Sequence, residues 1–416
     1  MLSEAIILAG GQGTRLQETV PGLPKAMAPV AGKPFISYVI DYLRMQGVQH
    51  FIFALGYKAD VIISYLEEQY ATLSFKVLVE NEPMGTGGAI KAALAETTGE
   101  NVIITNGDTL FKINYNGIVH FHLAKNSICT LALKHLKNVD RYGAVITDKE
   151  GKITSFSEKK ENSDGFINGG IYILNKNGFN QLNPGNKFSF ESDFLEKHLN
   201  EDAFFGYVQD GYFIDIGISD DYNKANQDLN RQKPELKDRD ENWSLFLDRD
   251  GVINDEIEGR YILNWNEFKF SAGVLAALKR LNKKFKRIIV VSNQRGVGKF
   301  LMTEVELREI HKEMQKEITA AGGKIDKIYY CTETSDKHPD RKPNPGMALQ
   351  AIHDFKDIVP EKSIMIGNKP GDMRFGRFAG MVTVFITSTN PDQPFPHADI
   401  DFKFPSLESF AQALES

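Results

Sequence analysis

The sequence predicts an α/β protein built from two doubly wound domains, and three observations predict it. Short apolar β-branched runs alternate with longer helical patterns almost throughout, the rhythm breaks once at a charged stretch, and each of the two series opens on an apolar run that stops abruptly. Such alternation marks βαβ units, whose parallel strands need helices on both faces to connect and cover them. The length of 416 residues agrees, since one core rarely serves more than roughly 200 residues.

In the first series AIIL is followed by a helical ISYVIDYLRMQG, then FIFAL, a helix around DVIISYLEEQY, and FKVLV. The second series runs LFL, VLAALKRLNKKF, RIIVV, TEVELREIHKEMQKEITAAGG, KIYYC and SIMIG. Between them stands NQDLNRQKPELKDRDEN, residues 226–242, in which nine of 17 residues are charged and only Leu229 and Leu236 are large and apolar. Its first half reads as the end of a helix and the rest as a linker. The predicted division is residues 1–230, a linker at 231–242, and residues 243–416.

Hydrophobic residues at 42% and charged residues at 25% match a globular chain and exclude a mainly disordered one. No apolar stretch approaches the ~20 residues that cross a bilayer, so no membrane partner is expected. MLSEAIILAGG lacks a basic lead and reads as a first strand, not a secretion signal. Two isolated cysteines, Cys129 and Cys331, are too few for a disulfide framework, which suits a reducing cytoplasm. A net charge of −6 argues against nucleic-acid binding. Self-association is left open.

In AIILAGGQGTRL the first run gives way to Gly10, Gly11 and Gly13. Glycines there leave backbone N–H groups uncovered, so a phosphate can approach and be held by several of them. The dinucleotide fingerprint fails, because Leu16 stands where its last glycine belongs, and no G-x-x-x-x-G-K-[ST] follows. Three cations, Arg15, Lys25 and Lys33, come next, close enough for loops to fold them back onto a phosphate.

The run GGQGTRL…LPKAMAPVAGKP resembles the signature of sugar-1-phosphate nucleotidyltransferases, and the likeness continues through EPMGTGGAI, NGDTL, FSEK, NGGIYIL and FIDIG to about residue 230. The resemblance implies a Rossmann-like domain in which Leu8, Ala9, Gly10, Gly11, Gly13, Thr14, Arg15, Lys25, Glu82, Gly85, Thr86, Gly107 and Asp108 bind the nucleotide. Backbone groups of residues 8–11 and 80–88 would meet the base, and Arg15 and Lys25 would steady the charge that builds as pyrophosphate leaves. It further implies that Asp108 and Asp215 hold magnesium, and that Glu158, Lys159, Asn168 and Gly169 meet the sugar phosphate.

In SLFLDRDGVIN the apolar run ends on Asp248, with Asp250 and a glycine behind it. Open α/β sheets place ligands at such strand ends, although aspartates also simply begin turns. Ser292 ends RIIVVS, Lys342 lies in DRKPNPGM, and Asp372 closes IGNKPGD after SIMI. This set resembles the haloacid dehalogenase superfamily, in a form without room for a large cap, and is nearest to its heptose bisphosphate and histidinol phosphatases. The resemblance implies Asp248 as nucleophile, Asp250 as acid and base, Ser292 and Lys342 on the phosphoryl oxygens, and magnesium at Asp248, Asp250 and Asp372. Asn293, Arg295, Lys299 and Arg341 are the candidates for the rest of the substrate. Two departures stand out: relatives often hold zinc on several cysteines before the lysine motif, whereas Cys331 and His338 alone remain here, so no zinc is expected; and Asn368 occupies a position that is usually aspartate.

The two resemblances together imply a chain that dephosphorylates heptose 1,7-bisphosphate at C7 and then joins the resulting heptose 1-phosphate to GMP from GTP. The guanine rests on resemblance alone. Mannose or glucose 1-phosphate for the first domain, histidinol phosphate or another monoester for the second, and a nucleotide-sugar sensor without catalysis are the alternatives.

Overall fold

In the computed structural model the described residues are 2–13, 15–17, 19–137, 144–157, 164–199, 203–230, 235–236, 239–257 and 259–415. The chain divides into two compact units, Met1–Arg231 and Gln232–Ser416.

The first unit is organised around a nine-stranded sheet. Its parallel half is formed by Asn101–Asn106, Glu4–Ala9, His50–Leu55 and Ser74–Val79, side by side in that order. The three inner strands are short apolar runs buried on both faces, which excludes the alternating pattern of a half-exposed strand, while Ser74–Val79 at the edge is only partly covered. The other half departs from the purely parallel expectation. Gly165–Asn175 pairs antiparallel with Asn101–Asn106 and also with Cys129–Leu136 and Ala144–Thr147. Strand direction depends on how the connection returns, and residue period says nothing about it. The register of Gly165–Asn175 on Cys129–Leu136 shifts between Asn168 and Tyr172. A bulge of this kind re-aims side chains. It requires glycine, since a Cβ on Gly169 would lie 2.4 Å from the Phe111 ring.

A separate antiparallel ribbon joins Thr109–Phe111 to Phe213–Asp215, with Asp215 opposite Thr109. This pairing brings Asp215 to Asp108 from far along the chain.

The second unit has a six-stranded sheet, parallel throughout, in the order Lys327–Cys331, Arg287–Asn293, Ser244–Leu247, Ser363–Gly367, Val382–Ile386, Phe402–Phe404. The first strand in sequence therefore lies inside the sheet, with later strands laid out on both sides of it. The crevice at the carboxyl ends of such a switch point is where ligands bind. Leu245, Leu247, Val290 and Ile366 enter one apolar core with Leu278, Leu281, Leu307, Ile310 and Met314 from the flanking helices. The long helix Glu304–Ala320 begins with a reciprocal cap, Thr303 bonding the Glu306 backbone and Glu306 bonding back. Leu236 packs against this core, and Asp240 pairs with Lys362 at 2.8 Å. No helix among the described residues is long and apolar enough to cross a membrane.

Candidate active sites

At the carboxyl ends of the parallel strands of the first unit lies a cleft of about 300 Å³, lined in part by Leu8, Ala9, Gly11, Gly13, Arg15, Lys25 and Asp108. These seven expected residues thus converge, joined by Ala26 and Gly217, which the sequence did not single out. Gly13 has a φ of +63°, and a Cβ there would sit 2.7 Å from that of Lys25. The glycine therefore allows both the left-handed turn and the close passage of the lysine. Gly10 instead packs against Gly56 at the end of the neighbouring strand.

Lys25 places its ammonium 2.6 Å from Asp108 Oδ2 and 2.9 Å from Asp215 Oδ1. Burial alone would lower the lysine pKa, but the two carboxylates outweigh it and the net shift is upward. Asp215 is shifted up, first by burial and then by Asp108, with Lys25 opposing. Lys33 is tied to Asp41 at 3.0 Å and lies over the Tyr38 ring, so it serves local packing.

Asn168 Nδ2 donates to the Tyr172 hydroxyl at 2.7 Å, and that hydroxyl donates to Glu191 Oε1 at 2.8 Å. The Thr86 hydroxyl donates to the other Glu191 oxygen at 3.4 Å and accepts from Phe190 N–H at 2.9 Å. Glu191 thus ties the bulge carrying Asn168 and Gly169 to the helix start at Gly85 and Thr86. Nothing in FSFESDF announces this, because the residue acts through a fold contact. Gly107 packs on Ile7 and Ala9; Glu82 is exposed. Thr14, Glu158 and Lys159 lie outside the described residues.

In the second unit Asp248 follows Ser244–Leu247, and its N–H donates to Ile366 O at 2.9 Å. Lys342, with its side chain 2% exposed, holds Asp248 Oδ1 at 2.8 Å and Asp372 Oδ1 at 2.7 Å. Oδ1 of Asp248 also accepts the Arg249 N–H at 2.8 Å. Burial, with Asp372 next and Asp250 adding, pushes Asp248 up to about 7 against the pull of Lys342. Burial would also raise Asp250, but Arg249 and the hydrogen bonds it receives from Asn254, Arg249 and Gln294 bring it below the usual range.

Ser292 Oγ accepts from Gln294 Nε2 at 2.8 Å, and the same nitrogen reaches Asp250 Oδ2 at 3.1 Å. Asn293 is committed to the backbone of Lys342, donating to its carbonyl and accepting its N–H, both at 3.0 Å. Arg295 and Arg341 converge on Asp336 from two sides, and Lys299 lies over the Tyr261 ring. Cys331 Sγ is 3.8 Å from His338 Nδ1.

Both units repeat one arrangement: an ammonium seated between two aspartates, at or just past strand ends for Asp108, Asp215 and Asp248 and in the first turn of the helix Pro370–Phe378 for Asp372. Each carboxylate pair already closes on a cation, so a hard divalent cation suits its chemistry. Among the described residues no group of three His, Cys, Asp or Glu is gathered to hold a metal. Magnesium needs only one or two carboxylates from a protein and completes its shell with substrate phosphates and water. In the second unit Asn368 Oδ1 is buried without a hydrogen-bond partner among the described residues and offers a neutral oxygen. Its amide nitrogen is held by Glu256 at 3.0 Å and Thr389 at 2.6 Å.

Residues 4–232 match the model of the nucleotidyl transferase family, and residues 246–408 that of polynucleotide kinase 3 phosphatase. Over 226 residues the chain is 48% identical to D-glycero-alpha-D-manno-heptose 1-phosphate guanylyltransferase of Aneurinibacillus thermoaerophilus, covering 54% of this chain and 98% of that one. Over 173 residues it is 35% identical to the D-glycero-alpha-D-manno-heptose-1,7-bisphosphate 7-phosphatase of Mycobacterium bovis, covering 41% of this chain and 91% of that one. The crystal structure of HddC from Yersinia pseudotuberculosis matches with a TM-score of 0.50 and 38% identity, over 55% of this chain and 100% of that one. A second crystal structure of HddC is complexed with GMP-PN.

Proposed function

We propose, from the premise that this chain belongs to the nucleotidyl transferase family through its first unit and to that of the heptose bisphosphate 7-phosphatases through its second, that it makes GDP-heptose in two steps. The second unit removes the 7-phosphate of D-glycero-α-D-manno-heptose 1,7-bisphosphate. The first joins the resulting heptose 1-phosphate to GMP from GTP and releases pyrophosphate. One observation carries the reading: the relatives of the two halves act on consecutive sugars, and each half keeps its lysine and aspartates in contact.

The domain assignment follows as residues 1–230 for transfer, 231–242 as linker and 243–416 for hydrolysis. Backbone N–H groups of the Gly11–Gly13 turn, Arg15 and Lys25 hold the triphosphate while an oxygen of the sugar phosphate attacks the α-phosphorus. Asn168 and Gly169, with Glu158 and Lys159, position the sugar. Asp108 and Asp215 would hold magnesium in one unit, and Asp248, Asp372 and the Asp250 segment in the other. When bound, magnesium offsets phosphate charge and helps align the groups that react.

In the second unit an Asp248 oxygen attacks phosphorus to form an aspartyl-phosphate, and Asp250 gives its proton to the departing sugar oxygen. Asp250 then takes a proton from the water that cleaves the intermediate. Ser292 and Lys342 hold the phosphoryl oxygens, and Asn293 fixes the lysine backbone. The work belongs to the cytoplasm, with small molecules as partners; the two free, buried cysteines and the acidic charge support this.

Incubating the protein with the bisphosphate and each of four nucleoside triphosphates, then weighing the products, tests the reading. GDP-heptose should form with GTP, with one phosphate and one pyrophosphate released per sugar. Formation from another triphosphate, or phosphate release from histidinol phosphate in preference to the bisphosphate, would overturn it. Adding EDTA should stop both releases, and magnesium should restore them. Glu191→Leu should lower kcat/KM of transfer by about tenfold, the equivalent of one hydrogen bond to a charged group, and leave phosphate release unchanged.

A further inference from the structure

Arg249 stands between the two aspartates of the phosphatase loop and is 1% exposed. A guanidinium is costly to bury unless every donor direction is used. Here Nη2 reaches both oxygens of Asp250, at 3.0 and 3.1 Å, and Nε lies 3.3 Å from Oδ1. On the far side Nη1 is 3.1 Å from His311 Nε2. Arginine only donates, so Nε2 accepts and the His311 ring carries its proton on Nδ1. His311 sits on the Glu304–Ala320 helix, with its ring packed against Tyr330 at 5.4 Å. Asn254 Nδ2 at 3.0 Å from Oδ1 and Gln294 Nε2 at 3.1 Å from Oδ2 complete the enclosure of Asp250. An ion pair that served packing alone would have no need of the acid–base carboxylate as its partner.

We infer that Arg249 is a positioning residue for phosphate-ester hydrolysis: its guanidinium, backed by neutral His311, fixes the Asp250 carboxylate in the one orientation that serves both proton transfers. The inference rests on the phosphatase reading above. In the first half-reaction the bond from Asp248 to phosphorus forms, the bond from phosphorus to the sugar oxygen breaks, and the proton on Asp250 goes to that oxygen. In the second, water oxygen bonds to phosphorus, the Asp248 bond breaks, and a water proton returns to Asp250. Arg249 neither gives nor receives a proton.

Two esters separate positioning from general damage. The phenolate of p-nitrophenyl phosphate leaves without protonation, so only its second half-reaction depends on Asp250. In the full-length protein, Arg249→Met should give a burst of one phenolate per chain at close to the parent rate, followed by turnover about 100-fold slower, the lower range for loss of acid–base catalysis. On the sugar bisphosphate, kcat should fall about 100-fold with KM within twofold and no burst.

Arg249→Lys keeps the charge without the fork and should recover only part of the loss. His311→Leu should reproduce the burst pattern more weakly, and His311→Gln, which keeps an acceptor, should return turnover to the parent rate without a burst; this pair decides the matter if Arg249→Met does not fold. Equal loss of burst and turnover, or no loss in either, would overturn the inference. A parent chain that hydrolyses neither ester, or an Asp248→Asn chain that still hydrolyses them, would remove the phosphatase reading itself.

Discussion

Asp248→Asn should stop phosphate release from the heptose bisphosphate while guanylyl transfer to supplied heptose 1-phosphate continues within about twofold of the parent rate. The expected loss is on the order of 10⁴-fold or more, the scale seen when a covalent nucleophile is removed. The carboxylate has no substitute in place: Asp372 is bonded by Lys342 and by the N–H groups of Asn368 and Lys369, and Asp250 is enclosed by Arg249, Asn254 and Gln294. An amide at 248 would keep the Lys342 and Arg249 N–H contacts through its oxygen, so the fold should survive. Phosphate and pyrophosphate assays on the same preparation check both halves of this expectation. Loss of transfer along with hydrolysis, in a chain of unchanged circular dichroism, would contradict the division of labour.

Lys25→Met should have the reverse effect, lowering transfer on the order of 10²- to 10³-fold, as when a group that stabilises transition-state charge is removed, with phosphate release intact. The methionine fills similar space but leaves Asp108 and Asp215 facing each other without the ammonium that now separates them. Asp108→Ala should act in the same direction. In a magnesium titration of Lys25→Met followed by pyrophosphate release, saturating metal should not restore the rate, because the lysine is assigned to the triphosphate as well as to the carboxylates. Full recovery at high magnesium would limit Lys25 to charge balance.

Much of each site was legible because a buried parallel strand ending in a tight turn leaves a sharp mark. LFLD and AIILAGG are such marks, and Lys25, Asp108, Lys342 and Asp372 were reached through the family resemblances that those marks introduce. The parts that escaped depend on how distant surfaces meet. Glu191 looks like an ordinary polar residue between phenylalanines, and becomes a bridge only when the bulge at Asn168 approaches Thr86. His311 lies on a helix face that reads as core, and its contact with Arg249 requires that helix to cross behind the Asp248 loop. Asn293 carried the opposite lesson. Its motif suggested substrate, but both ends of its amide grip Lys342. The mixed half of the first sheet escaped for a simpler reason, since alternation gives strand and helix but not direction.

The ribbon that sets Asp215 opposite Thr109 also bears on biosynthesis. Lys25 and Asp215 are 190 positions apart, so the transferase centre cannot close until nearly all of its unit has left the ribosome. A nascent chain halted before residue 213 would carry the glycine turn and both basic residues without a second acid to oppose them, whereas Asp248 emerges at the start of its own sheet. Ribosome-bound intermediates should therefore gain transfer competence late and in one step, which staged release of truncated chains can measure.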